Sequence, residues 1–105
     1  MKAKSLLALG AALLLGAGSV QAAGDPQAGQ VKAETCMGCH GVPGYRNAYP
    51  QYRVPKLGGQ HADYIVSALQ AYQRGERAHS TMHAMVASMN EQDMQDIAAY
   101  FSQAK

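Results

Sequence analysis

The chain has 105 residues, two cysteines, four histidines and no tryptophan, with nine Lys and Arg against seven Asp and Glu. One domain is the ceiling at this length. The small positive balance falls short of the basic surplus of a nucleic-acid binder.

The first element in chain order is a leader. Lys2 and Lys4 precede an apolar run, Leu6 to Val20, that closes on Ala22 and Ala23. This is the layout of a secretory signal peptide, and the run is short of the about 20 apolar residues of a membrane span. Residues 1–22 are therefore expected to be removed, leaving residues 23–105 with no integral span. Without Lys2 and Lys4 the acidic and basic residues balance. A domain this small buries little and commonly recruits a disulfide, a metal or a cofactor to complete its core.

Asp25 can cap a helix opening at Pro26, which is predicted over 26–35 with Ala28, Val31 and Thr35 on one face. Cys36-Met37-Gly38-Cys39-His40 follows. From Gly41 to Gly59, three prolines and four glycines exclude a regular helix or a central strand. A patternless loop of that length in a small domain is suspect unless it wraps something. His61 to Arg74 reads as a second helix, with Tyr64, Ala68, Leu69 and Tyr72 on one face and Gly75 as its stop. A short helix is expected around 82–87. Asn90 then looks like an N-cap, with Asp93 in the reciprocal capping position. The last helix, 91–103, turns Met94, Ile97, Ala98 and Phe101 inward. No strand signal is visible, so the predicted class is all-α, with three main helices and long loops.

Cys36 and Cys39, with His40 adjacent, form CxxCH. Two thiols at this spacing can add to the two vinyl groups of a haem, and the histidine then lies under the iron. Three rival readings fit less well. A thioredoxin-type redox pair wants a βαβ context, zinc wants a second set of ligands, and a disulfide here would close too small a loop to stabilise much.

Around this motif the chain resembles the class I cytochromes c over the whole of 23–105. It is similar in particular to the bacterial periplasmic subgroup that includes the halves of dihaem cytochromes c. The resemblance is carried by CxxCH after a short helix, Ala23-Gly24-Asp25 with Gly29, Pro55-Lys56-Leu57-Gly58-Gly59-Gln60, and Asp96-Ile97-Ala98-Ala99-Tyr100-Phe101. It implies loops wrapped around one covalent haem c, with Cys36 and Cys39 as thioether residues and His40 as one axial ligand. Aligning Met89-Asn90 with the family's helix cap puts the sixth ligand at Met82. Met85 is the second choice, and Met89 and Met94 are further candidates. Methionine at helical spacing is more commonly core, and Met94 in particular falls on the inner face of the last helix. His61, His79 and His83 are alternative ligands or exposed polar residues.

The family holds the proximal histidine's second nitrogen with a proline carbonyl. Pro55 matches through Pro55-Lys56-Leu57, which also places Leu57 in the haem pocket, although Pro43 and Pro50 stay open. The chain departs from the family in a Tyr/Pro-rich insert, 43–55. Its Tyr45, Tyr49, Tyr52, Arg46 and Arg53 either bind haem propionates or lie on an exposed loop. Gly29 should let the terminal helices approach closely, against Tyr100 or Phe101.

The implied function is a periplasmic single-electron carrier with His/Met ligation, not an enzyme. Its donor would be a quinol-oxidising complex or a dehydrogenase, and its acceptor a terminal oxidase or reductase. The alternative is a haem c subunit of a larger periplasmic enzyme.

Overall fold

The structure is a computed structural model that describes residues 24–105; the proposed signal peptide, 1–22, lies outside the described residues. Asp25 caps α1 (Pro26–Lys32), its carboxylate accepting from the Gln27 amide at 2.9 Å, with Pro26 in the first helical position. The predicted single helix over 26–35 is in fact two. The backbone departs from helical geometry at Ala33 (φ −87°, ψ 1°), which ends α1, and α2 (Glu34–His40) follows, carrying the whole CxxCH motif. No glycine or proline marks this break. It falls at a fully buried alanine, where α1 meets the core.

The buried residues at this end are Gly29 and Ala33, not the predicted Ala28, Val31 and Thr35 face. Val31 is 68% exposed. The reason lies in α5 (Glu91–Gln103), which α1 crosses at close range. A Cβ built on Gly29 would run into the Asp96 carbonyl oxygen and crowd the Tyr100 Cβ. Only the smallest residues can face α5 there, as expected of Gly29.

Between α2 and the middle helix the chain forms a small antiparallel hairpin, which overturns the expectation of no strand. Strands β1 (Arg46–Ala48) and β2 (Gln51–Arg53) pair Arg46 with Arg53, Asn47 with Tyr52 and Ala48 with Gln51. The two-residue turn is Tyr49-Pro50, pinned by Asn47 Nδ2 donating to the Pro50 carbonyl at 2.8 Å. Strands of three residues with no apolar alternation carry no periodic signal.

The helix α3 (Ala62–Gln73) ends as predicted at Gly75, which takes φ +76°. The Glu76 amide donates to Ala71 and the Gly75 amide to Tyr72, the paired bonds of a Schellman stop. Its buried face is Ile65, Val66 and Leu69, a position round from the predicted stripe, and Tyr64 is 55% exposed. Helix α4 (Ser80–Val86) is the short expected helix, begun two residues early. Helix α5 has the expected bounds and capping box: Asn90 Oδ1 accepts from the Asp93 amide, and Asp93 Oδ2 from the Asn90 amide.

The core is Ala33, Ile65, Val66, Leu69, Val86, Met94, Ile97, Ala98 and Phe101. All four predicted inward residues of α5 belong to it. Burial of a side chain the size of Phe101 contributes about 2–3 kcal/mol. Among the described residues, the expected mostly helical fold is borne out: the three main helices and the short fourth are present, the first is divided at Ala33, and one hairpin is added.

Candidate haem site

Helix α2 sets the geometry of the motif. Cys36 and Cys39 are both free thiols, three residues apart and hence neighbours on the helix surface. Burial pushes the Cys36 thiol above its ordinary pKa. His40 is the last residue of α2, and its Nδ1 lies 2.7 Å from the Pro55 carbonyl oxygen. A carbonyl only accepts, so Nδ1 carries the proton and Nε2 keeps its lone pair for a metal. Of the three prolines left open by sequence, Pro55 is the one in contact.

The Pro55 loop is itself anchored. The Gly59 amide donates to the Phe101 carbonyl at 2.9 Å, the Gln60 amide donates to Leu57 at 3.0 Å, and Leu57 packs against the core. Gly59 takes φ +82°, a conformation that suits glycine. An open cavity of about 360 Å³ on this side is lined in part by His40, Pro43, Val54, Gly58 and Phe101.

Met82 lies in the first turn of α4, half-buried and packed against the core. Met85, one turn on, is also half-buried, so it is not the fully buried core residue that would make its truncation most costly. Met94 is 1% exposed, a core residue as its helical position suggests, and Met89 packs at the core's edge.

Sequence reasoning treated the remaining histidines as exposed polar groups or spare ligands. His61 is exposed and caps α3 without a side-chain bond. The other two have structural work that no periodicity reveals. His79 caps α4, its Nδ1 accepting from the Met82 amide at 3.2 Å. His83 Nδ1 donates to the Tyr72 carbonyl at 2.8 Å. The histidine in contact with Met82 is thus His79, through the backbone. A signal was present, since a polar side chain three residues before Met82 is where an N-cap acceptor would be sought.

Gln73 was not singled out at all. Its Nε2 donates to the Val86 and Met89 carbonyls, at 3.0 and 2.8 Å, and so caps the end of α4 from α3.

The donor set fits a covalent haem c. Two free thiols share one face of α2, the adjacent imidazole offers Nε2 with its tautomer fixed, and a half-buried thioether stands on a separate helix. Among the described residues, no helix is long and apolar enough to cross a membrane.

Comparison with known proteins agrees with this chemistry. The cytochrome c family model matches residues 26–105. Cytochrome c4 of Pseudomonas aeruginosa is 39% identical over 88 residues, covering 84% of this chain and 42% of the relative. Cytochrome c-554(548) of Halomonas halodenitrificans is 42% identical over 83 residues, covering 76% of this chain and 96% of the relative. The solved structure of Acidithiobacillus ferrooxidans cytochrome c4 superposes with a TM-score of 0.62 at 25% identity, over 82% of this chain and 52% of that one. The chain spans less than half the length of the Pseudomonas relative and most of the Halomonas one. By sequence, fold and donor set together, the chain belongs to the cytochrome c family, is related to cytochrome c4, and has covalently bound haem c as its cofactor.

Proposed function

We propose that the protein is a periplasmic single-electron carrier, with haem attached through Cys36 and Cys39 and its iron held between His40 and Met82. The observation that carries this reading is the His40–Pro55 bond. It directs Nε2 away from the protein backbone and makes the imidazole a stronger donor. Bound haem supplies a one-electron iron couple, and a thioether opposite histidine raises its potential. The chain's own part is to hold both ligands, anchor the cofactor and limit water. Arg46 and Arg53 face each other across the hairpin, an arrangement unfavourable on its own; an anion such as a propionate would relieve it. The partners would be a quinol-oxidising complex or dehydrogenase as donor, and a terminal oxidase or reductase as acceptor.

The test is a redox titration of holoprotein matured by a c-type assembly system, with variants. Haem should stay with the chain through acid-acetone extraction. Met82→Ala should abolish the long-wavelength ferric band of an iron–methionine bond and lower the potential. Met85→Ala should keep the band and destabilise the fold modestly. The reverse pattern would move the ligand to Met85, and freely extracted haem would defeat the attachment.

A further inference from the structure

We propose that the hairpin insert is a clamp on the methionine-bearing helix, with Tyr52 as the positioning residue that holds the first turn of α4. The proposal rests on the reading of Met82 as ligand.

Helix α4 has seven residues. A helix that short does not hold its own shape in water and takes its stability from its packing. Its later turns are secured from α3: His83 bonds the Tyr72 carbonyl, and Gln73 bonds the carbonyls of Val86 and Met89. Its first turn, where Met82 sits, depends on the imidazole of His79, whose Nδ1 accepts from the Met82 amide. That bond lasts only while the ring keeps its orientation.

Two aromatic rings set that orientation. Tyr52 of β2 meets the His79 ring edge-on, with centroids 4.7 Å apart and planes at 81°. Tyr72 of α3 meets it at 6.1 Å and 77°, and the Arg77 guanidinium lies over Tyr72 at 4.5 Å. Edge-to-face pairing at these separations is favourable, and the Tyr52 contact is the closer. The Tyr52 hydroxyl also donates to Thr81 Oγ1, the residue before Met82, at a long 3.4 Å. One tyrosine therefore touches the cap residue and the ligand's neighbour together. Tyr49 at the hairpin turn is 97% exposed and supplies an internal control.

The consequence is measurable as competition for iron. An external ligand enters only when methionine has left, so its apparent affinity scales with the fraction of open molecules. Ferric holoprotein would be titrated with imidazole, following loss of the iron–methionine band. Tyr52→Ala should tighten apparent imidazole binding by about tenfold, the upper range for an aromatic pair. Tyr52→Phe keeps the ring and loses only the long bond, so it should change binding by about twofold at most. Tyr49→Ala should leave it unchanged. Circular dichroism of the Tyr52 variants should match the parent at the titration temperature, which a general loosening of the fold would not allow.

Unchanged imidazole affinity in Tyr52→Ala would overturn the clamp, as would an equal gain in Tyr49→Ala. If Tyr52→Ala does not fold, His79→Ala removes both the ring contact and the capping nitrogen, and it should reproduce the gain. No gain in His79→Ala would also overturn the clamp. A band that survives in Met82→Ala would defeat the ligand assignment itself, an outcome distinct from failure of the clamp.

Discussion

The crossing of α1 and α5 and the seating of α4 solve the same problem in opposite ways. At the crossing, position is set by exclusion and buried charge. Gly29 leaves no room for a side chain, and Asp96, 3% exposed, gathers the Asp25 amide, Lys32 and Gln92 at 2.9, 2.7 and 2.7 Å. At α4, position is set by side chains reaching across to backbone: His79, His83 and Gln73. The first arrangement yields to any added atom. The second can loosen by degrees while the fold survives, which suits the end of the molecule where the proposed bond from Met82 to iron would form and hold.

Substitution at Gly29 should break this contrast most severely. Gly29→Val drives branched carbons into the α5 backbone, and a loss of about 3 kcal/mol, the upper range for overpacking, is expected in denaturant unfolding. Below the transition, the ferric methionine band should be unaltered.

Asp96 comes next. Its carboxylate is held down to about 2 from an ordinary 3.8, chiefly by the Asp25 amide and then by Lys32. A depressed folded-state pKa means stability that is fully present above 3.8 and lost as pH falls towards 2. Asp96→Asn should therefore lower Tm at neutral pH by roughly 4–8 °C. It should also flatten the dependence of Tm on pH across that acid window. A parent protein whose Tm is indifferent to pH between 4 and 2 would contradict the assignment.

The mildest effect should come from Gln73→Ala, which removes two bonds to the end of α4. A loss of about 0.5–1 kcal/mol is expected, since the Val86 carbonyl keeps its bond from the Met89 amide, with the iron–methionine band fading on warming before helix content does. Coincident fading would show that α4 has no independence from the core and would erase the contrast.

The two regions also differed in how far they could be read from sequence. Most of the crossing was legible: Asp25-Pro26, Asn90 with Asp93, Gly29, and the inward stripe of α5 are local signals with single physical meanings. The break at Ala33 was not, because an alanine inside a helical pattern gives no sign that the helix will be interrupted there. CxxCH and the Pro55 loop were legible through their chemistry. The support of α4 was mostly hidden: the cap at His79 is local, but His83, Gln73 and Tyr52 act at long sequence separation through contacts that leave no period. The hairpin was hidden because its strands are too short and too polar to alternate.

The anchorage of Pro55 has a consequence for the order in which the molecule is completed. The carbonyl that fixes the His40 tautomer belongs to a loop tied through Gly59 to the Phe101 carbonyl of α5. The proximal imidazole near the start of the fold is therefore completed by a helix far from it in sequence. Until α5 docks, the Pro55 loop lacks that tie, and the imidazole is free to carry its proton on either nitrogen. A change that unseats the end of α5 would be felt at the histidine of α2.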